Sequence, residues 1–362
     1  MAYMKIIKKG INLDVSPIID RSLLKKIHDF DVEKYDVDFE DLSEGDLTEI
    51  NQYWTRFLDF SMLNLGWFQF YYSITHCHDF RFIPDDLFYT EIDRILNSPF
   101  RAWGLDDKNL YSRIFCDVKQ PDTLVFKIGS VLLNGRGDRI SVDDAVSICV
   151  RAKYGVLKEA VHSCGGHGIK LLSFPKDVNK LKIHLNEKQD LIIQEKIRQH
   201  SLLEHFHPES VNTIRMMTYL RENGDVVVLS SVLRMGNGKS FTDNFSTGGC
   251  TCGIKDNGLL NEFGISNDYQ YIAQNSNGVV FKGKYIPSFS DIKKTAKKLH
   301  YQLPMFPLLA WDFSVDKTET PVLIEVNMCN ASVDFMQLNN GPLFGEYTSE
   351  VLCRVYRNHI VK

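Results

Sequence analysis

The sequence predicts an α+β (α/β) protein in which antiparallel sheets follow a mostly helical N-terminal region. Up to about residue 100, large apolar and aromatic side chains recur at helical spacing. From residue 124 onwards, short β-rich pieces alternate with amphipathic stretches, and an Asn-Gly turn joins two predicted strands. A chain of 362 residues has room for two or three structural units, so we expect a large protein of mixed class.

The N-terminal region is predicted to contain several helices. Residues 47–74 are dense in Leu, Phe, Trp and Tyr. The most apolar stretch, 57–75, contains Asp59, Asn64 and Gln69, which predicts a buried helix and not a membrane span. Further helices are predicted at 86–96 and at 106–115, the latter with an aspartate near its N-terminus.

Short strands, turns and one well-capped helix are predicted for the middle of the chain. Ser141 is predicted to cap a helix that ends near Lys153 and has two aspartates in its first turn. The letters NGRGD at 134–138 predict a turn. The predicted strands of this part are 124–128, 154–160, 169–172 and 191–194.

The second half repeats the mixture of strands and helices. The pair Asn223-Gly224 predicts a hairpin between two antiparallel strands. The elements predicted here are strands 213–221 and 226–235, helix 289–300, and strands 308–315 and 321–326.

Composition excludes several classes of function. The net charge is −4, which gives no support to nucleic-acid binding, and the lysines at 293, 294, 297 and 298 are predicted to form a solvated helix face. The eight cysteines are scattered and fit reduced thiols, and the spacings at 76–78 and 250–252 do not favour zinc. Without a signal segment or a long apolar run, we expect a soluble, cytoplasmic protein with no transmembrane segment.

A lysine and a glycine-rich loop are the first candidates for a phosphate site. Lys158 lies on a predicted strand, and residues 163–168 read SCGGHG. Glycines at Gly165, Gly166 and Gly168 would let backbone N–H groups approach a phosphate closely, and the lysine adds positive charge. The loop is neither a Walker A nor a Rossmann motif, because no Gly-Lys-Ser/Thr follows and it joins two strands. A plain turn remains the alternative.

Three polar residues near the C-terminus are candidates for a metal site. Glu325 and Asn327 are two apart on a predicted strand, so both point to one face. Asp312 lies near the end of the preceding strand, and the three oxygens converge if the strands pair. Such hard oxygen ligands suit magnesium, which also takes phosphate oxygens. The alternative is a solvated strand face, but the strand is otherwise apolar, and polar groups are costly to bury there unless they are used.

The segment Gln194, Glu195, Lys196 and Ile197 ends a predicted strand. If it joins two lobes, its backbone groups could meet an adenine edge, although an ordinary strand end fits equally well. Glu204 follows a few residues later and could reach a ribose hydroxyl.

Positive charge on the predicted strands of the second half comes mainly from arginines. In the stretch NTIRMM, Arg215 lies among the apolar residues Ile214, Met216 and Met217, and Arg234 and Lys239 follow. Such arginines are either site residues or ordinary partners in ion pairs.

Taken in this order, these elements resemble the ATP-grasp superfamily. More narrowly, they are similar to the sugar-transfer-associated ATP-grasp group found with surface-polysaccharide gene sets. The resemblance extends over about residues 79–351. The segments that carry it are RFIPDDLFY (81–89), DDKNL (106–110), LKEAVHSCGGHGI (157–169), QEKIRQH (194–200), SVNTIRMMT (210–218), DNFSTGG (243–249) and the stretch 311–327.

The resemblance implies contacts with the nucleotide. Lys108 matches the first ATP-grasp lysine, which touches phosphate, and Lys158 matches the second. Glu195 and Ile197 match the hinge that meets adenine. For the ribose, the resemblance leaves open Glu204, His205 or Glu195 itself.

The resemblance also implies the residues around the reacting phosphate. The implied magnesium ligands are Asp312, Glu325 and Asn327, with Glu325 bridging two ions. Arg215 matches a basic residue near the γ-phosphate and acyl group. Arg234 and Asn244 match a later loop that holds phosphate or acceptor.

The fold implied by the resemblance is two α+β subdomains that grip ATP, preceded by the helical region. This divides the chain into residues 1–100, 101–200 with the N-terminal and glycine-loop lobes, and 201–362 with the metal site. The implied cofactors are ATP and Mg²⁺, with two ions expected and Mn²⁺ able to replace them.

The implied reaction is ATP-dependent ligation of a carboxylate and an amine through an acyl phosphate. By analogy, the carboxylate belongs to a uronic acid or amino acid destined for capsular or other cell-surface polysaccharide, either as a small molecule or linked to a saccharide, lipid or nucleotide. Two alternatives stay open: a kinase of the same fold that phosphorylates a hydroxyl, and a non-catalytic nucleotide-binding protein.

Overall fold

The structure is a computed structural model. It describes residues 38–161, 168–238, 241–243, 245 and 248–360. Gly165, Gly166, Lys239 and Asn244 therefore lie outside the described residues.

The N-terminal region is helical, as predicted, but the helix predicted at 57–75 begins only at Gly66. Before it, Asp59 accepts a hydrogen bond from the Ser61 N–H and begins a 3₁₀ turn, Phe60–Met62. Polar side chains that bond to nearby backbone groups compete with the helix in this way. The helices are α1 Glu44–Trp54, α2 Gly66–Thr75, α3 Asp85–Leu87 continued by the π-helical Phe88–Ile92, α4 Asp93–Leu96, α5 Pro99–Ala102 and α6 Tyr111–Ile114.

A five-stranded antiparallel sheet follows, with the strand order β2-β1-β5-β3-β4. Its strands are β1 Thr123–Ile128, β2 Val131–Asn134, β3 Tyr154–Glu159, β4 Lys170–Ser173 and β5 Leu191–Gln194. Two helices, α7 Val142–Ala152 and α8 Val178–Asn186, pack their apolar side chains against Val125, Leu157 and Ile193 on one face. As predicted, Ser141 caps α7, with a capping box to Asp144.

A larger antiparallel sheet of seven strands has the order β10-β9-β8-β7-β6-β11-β12. Its strands are β6 Thr213–Leu220, β7 Val226–Met235, β8 Cys250–Ile254, β9 Leu260–Ser266, β10 Tyr271–Ile272, β11 Leu308–Val315 and β12 Pro321–Asn327. The remaining helices are α9 Ser201–Phe206, α10 Phe289–His300, α11 Asp334–Asn340 and α12 Thr348–Ile360. The predicted hairpin between β6 and β7 is confirmed.

The seven-stranded sheet is covered on both faces. Helix α10 buries Ile292 and Leu299 with Ile214, Trp311 and Phe313 of the sheet. On the other face, the N-terminal helices share one hydrophobic cluster with α11, α12 and the sheet. Its members include Trp54, Phe68, Tyr71, Met217, Tyr219, Ala310, Met336 and Val351. The N-terminal helices are therefore part of the main core.

Within the described residues, no helix is both long and apolar enough to cross a bilayer.

Candidate active site

Strand register brings the predicted polar residues of the large sheet together. Asp312 in β11 lies opposite Arg215 of β6 on one side and opposite Glu325 of β12 on the other. Directly opposed residues of antiparallel strands share a face of the sheet. One face thus carries a row of an arginine and two carboxylates, and Asn327 extends this row because it is two residues from Glu325.

An irregularity in β12 lets an apolar strand present this polar row. Glu325 pairs with Asp312 and Leu323 pairs with Phe313, so Ile324 is an extra residue. The bulge allows both Leu323 and Val326 to join the α10 side of the core. Glu325 and Asn327 then point to the opposite face, as the two-residue spacing predicts.

Two buried arginines hold Asp312. The Arg215 Nε lies 2.5 Å from Asp312 Oδ1, and a second nitrogen lies 2.9 Å from Oδ2, which makes the pair bidentate. Arg234 approaches Oδ2 at 3.4 Å. Burial alone would raise the pKa of Asp312, but the two arginines outweigh it, and the net pKa is lowered. Asp312 is therefore ionised at neutral pH.

Lys108 connects the segment after α5 with the large sheet. Its Nζ lies 2.7 Å from Glu325 Oε1, and its side chain is only 8% exposed. The residue begins a 3₁₀ turn, Lys108–Leu110, that is capped by Asp107, and its backbone N–H donates to the Ala160 C=O at 2.9 Å. The turn is all that forms of the first half of the predicted helix 106–115.

Lys158 lies on the face of the small sheet that α7 and α8 do not cover. Its Nζ donates to Gln194 Oε1 at 3.0 Å. Burial lowers the pKa of Lys158 to about 8, while the Glu325 carboxylate raises it and Lys108 lowers it further. The influence of Glu325 places Lys158 within electrostatic reach of the polar row on the large sheet.

Gly168 is the described residue of the predicted glycine-rich loop. Its φ is +78°, and a Cβ atom added there would meet the Glu159 carboxylate at 2.8 Å. The positive φ favours glycine at this position, whereas the contact with the flexible Glu159 side chain could be relieved by movement of that side chain.

The hinge segment follows β5 directly. The Glu195 N–H donates to the Asp122 C=O at 2.8 Å, whereas no hydrogen bond between described residues uses the Glu195 C=O or the Ile197 N–H. The Lys196 Nζ lies 5.9 Å from the centre of the Phe241 ring. Glu204 lies on the exposed face of α9.

Asp243 contacts the candidate site, although the sequence alone does not single it out. It accepts hydrogen bonds from the N–H and hydroxyl of Thr213, and its Oδ1 lies 3.5 Å from Arg234. Its position in the segment DNFSTGG was the available signal. Phe245, two residues on, anchors the same segment by packing against Phe335 of α11.

The oxygen donors fit the metal that the sequence suggests. Asp312, Glu325 and Asn327 offer two carboxylates and one amide, the hard ligands that Mg²⁺ prefers. A group of three or more His, Cys, Asp or Glu side chains placed to hold a metal is not found in the described part of the chain.

Several solved structures with a similar fold are enzymes. The ATP-grasp ligase PsnB, in complex with its minimal precursor, is 11% identical with a TM-score of 0.44, and the alignment covers 72% of this chain and 63% of PsnB. The D-cycloserine synthetase DcsG is 11% identical with a TM-score of 0.43, and the alignment covers 73% of this chain and 73% of DcsG. A biotin carboxylase from Campylobacter jejuni is 14% identical with a TM-score of 0.47, and the alignment covers 72% of this chain and 49% of the carboxylase. The chain thus spans less than two thirds of PsnB and about half of the biotin carboxylase.

A comparison with curated proteins gives no match. A family model described as sugar-transfer associated ATP-grasp matches residues 88–351, which include the Lys108 turn, both sheets and the polar row. The chain has the ATP-grasp fold and belongs to the sugar-transfer associated ATP-grasp family.

Proposed function

We propose that the protein is an ATP- and Mg²⁺-dependent ligase that joins a carboxylate to an amine. The observation that carries this proposal is the set of charges facing one another between the two sheets. Lys158 lies on the small sheet, Lys108 reaches Glu325, and Arg215 pairs with Asp312 on the large sheet. Cations for a triphosphate thus lie beside oxygen ligands for its metal.

The nucleotide would lie between the sheets with its phosphates near the two lysines. We assign phosphate contacts to Lys108, Lys158 and the loop glycines Gly165, Gly166 and Gly168. The adenine edge would meet the hinge, Gln194–Ile197, whose Glu195 C=O and Ile197 N–H are available. Glu204 is proposed to reach the ribose.

Asp312, Glu325 and Asn327 would hold Mg²⁺, with two ions expected and Mn²⁺ as a possible substitute. The metal would neutralise phosphate charge and hold the γ-phosphate for in-line attack. Lys108 pairs with Glu325 in the structure, so we expect the lysine to exchange this carboxylate for a phosphate when Mg²⁺ and ATP bind.

The reaction would proceed in two steps. A carboxylate oxygen attacks the γ-phosphorus, the bond between the γ-phosphorus and the β,γ-bridging oxygen breaks, and ADP leaves. The amine nitrogen then attacks the acyl carbon, inorganic phosphate leaves, and the nitrogen loses a proton. Arg215, Arg234 and Asn244 would stabilise the charge on the transferred phosphoryl and acyl groups. Positioning and charge neutralisation suffice, and no protein nucleophile is required.

The substrate class rests on the family, whose description associates it with sugar transfer. We propose a uronic acid or amino acid carboxylate joined to an amine during synthesis of a capsular or other cell-surface polysaccharide. The substrate would be a small molecule, free or linked to a saccharide, lipid or nucleotide. The reaction would take place in the cytoplasm, where ATP is available.

A labelled carboxylate tests the chemistry directly. Candidate uronic and amino acids carrying ¹⁸O in the carboxylate are incubated with ATP, Mg²⁺ and a mixture of amines, and the products are analysed by mass spectrometry. A ligase produces an amide, ADP and inorganic phosphate that contains one ¹⁸O atom. A stable phosphorylated hydroxyl would instead identify a kinase, and tight ATP binding without turnover of any carboxylate would indicate a nucleotide-binding protein.

A further inference from the structure

The side chain of Asn109 is buried, and it has no hydrogen-bond partner among the residues that the structure describes. Only 2% of the residue is exposed, and neither its Oδ1 nor its Nδ2 is hydrogen-bonded to another described residue. Burying an amide without partners costs free energy, because both atoms lose their bonds to water. Such a group in a native protein therefore calls for an explanation.

Other buried amides of the described residues satisfy at least one of their two atoms. Asn97 donates to the Leu308 and Met328 carbonyls and accepts from the Leu308 N–H. The Nδ2 atoms of Asn212 and Asn339 are bonded although their Oδ1 atoms are not. Among the described side chains, Asn109 alone has both amide atoms buried and unpartnered.

The position of Asn109 places it between the two sheets. Its 3₁₀ turn, Lys108–Leu110, packs on β1 and β5 of the small sheet. On either side of it the chain reaches the large sheet, since Lys108 pairs with Glu325 and the Tyr111 hydroxyl donates to the Val326 C=O at 3.1 Å. Asn109 thus lies on a turn that contacts both sheets, and it directly follows Lys108, to which we assign a phosphate contact.

We propose that Asn109 binds the nucleoside part of ATP through its amide, an inference that rests on the proposed function. The amide offers one neutral donor group and one acceptor, which complements a purine edge or a ribose hydroxyl. The phosphates have cationic partners of their own in Lys108 and Lys158. The amide is then satisfied only when nucleotide is bound.

The substitution Asn109→Leu removes both polar atoms at similar size. Binding of ATP, adenosine and tripolyphosphate is measured by calorimetry with Mg²⁺, and thermal unfolding is followed without ligand. We expect ATP and adenosine affinities to fall roughly tenfold, tripolyphosphate affinity to be unchanged, and the unfolding temperature of the free protein to stay the same or rise. The control Asn97→Leu removes a fully bonded amide and should lower the unfolding temperature.

Three results would overturn the inference. These are an unchanged ATP affinity in Asn109→Leu, an equal loss for tripolyphosphate, or a drop in unfolding temperature like that of Asn97→Leu with normal binding. If the unaltered protein binds no ATP, the proposed function itself fails, which is a different outcome. If ATP affinity falls as expected, the same substitution is tested with 2′-deoxy-ATP and with GTP. A smaller loss of affinity for 2′-deoxy-ATP points to a ribose contact, and a smaller loss for GTP points to a base contact. Either result supports the inference.

Discussion

Lys158 is the residue whose removal should weaken ATP binding most cleanly. Its ammonium group is buried beside Gln194, and a charge-assisted hydrogen bond to phosphate is worth about 1.5–3 kcal/mol. We therefore expect Lys158→Met to reduce ATP affinity by roughly 10- to 100-fold in a calorimetric titration.

A second buried lysine provides the control. Lys127 lies on β1 and is 1% exposed, and its Nζ donates to the Gln189 C=O at 2.6 Å. It pairs with Leu191, which faces the α7 and α8 core. Lys127→Met should leave ATP affinity within about threefold, because the side chain is on the other face of the sheet. An equal loss in both variants would remove the phosphate assignment of Lys158.

The lowered pKa of Lys158, about 8, predicts a pH dependence of ATP binding. The protonated lysine attracts phosphate, so affinity should fall as pH rises from about 7 to 9 and the lysine loses its proton. In Lys158→Met this component should be missing. If the ratio of ATP affinities between the unaltered protein and Lys158→Met does not change with pH, the prediction is contradicted.

The lowered pKa of Lys158 also makes folding stability depend on pH, but stability should rise with pH where ATP affinity falls. The pKa of Lys158 is below its ordinary value of 10.5, so the unfolded chain binds this proton more tightly. Protonated Lys158 thus opposes folding below about pH 8, and the penalty disappears as pH rises to about 10.5.

For single residues, the sequence predicts the kind of chemistry a side chain can do better than it predicts which distant residue that side chain contacts. The spacing of Glu325 and Asn327 predicts their shared face, which the register confirms. The pairing of Lys108 with Glu325 cannot be read from the sequence, because it depends on how a turn near the small sheet meets the large sheet. Asp243 and Asn109 were missed for the same reason, since their significance comes from burial and from distant neighbours.

Among the elements, β6 and β11 are joined by the buried pair of Arg215 and Asp312. Asp312→Asn would leave the Arg215 charge without its bidentate partner, and we expect the free energy of unfolding to fall by about 3 kcal/mol in urea titrations. The double variant Arg215→Met with Asp312→Leu should recover most of this loss. If Asp312→Asn is as stable as the unaltered protein, the pair does not hold the two strands as described.

Helices and strands with a strong local sequence pattern could be predicted, and those without one could not. Helix 289–300 and strands 191–194 and 308–315 are confirmed at both ends, because amphipathic or apolar periodicity is strong there. The bulge in β12 and strands β8 to β10 were not predicted. These strands are only two to seven residues long, so they carry little periodicity, and sheet pairing fixes them instead.

For the whole molecule, the N-terminal helices are expected to be required for folding. Trp54 is fully buried, and its indole N–H donates to the Phe80 C=O at 2.7 Å. Trp54→Ala should lower the free energy of unfolding by about 3–5 kcal/mol. Phe100→Ala is the control, because Phe100 is 52% exposed, and it should change stability by less than about 0.5 kcal/mol.

Deleting residues 1–100 should have a larger effect than any single substitution. The deletion would expose the face of the large sheet that these helices share with α11 and α12. We expect the remaining chain to lack a cooperative unfolding transition in circular dichroism. A shortened chain that unfolds cooperatively and binds ATP normally would show that the helices are dispensable.

At this scale the class and the order of the elements could be predicted, but their packing could not. The sequence predicts a helical region followed by antiparallel sheets, which is confirmed. That the helices complete the core of the C-terminal sheet follows from contacts between residues more than 200 positions apart, such as the bond from the Ile83 N–H to Gln337. No local pattern encodes such a contact.

The central claim, a Mg²⁺–ATP site between the two sheets, is tested most directly by calorimetric titration of ATP with Mg²⁺ or with EDTA. Glu325→Gln is compared with Glu262→Gln, an exposed glutamate of β9 that pairs with Lys282. We predict ATP binding that weakens at least about tenfold in EDTA and in Glu325→Gln with Mg²⁺, while Glu262→Gln behaves as the unaltered protein. Equal ATP affinity with and without Mg²⁺, and in Glu325→Gln, would contradict the claim.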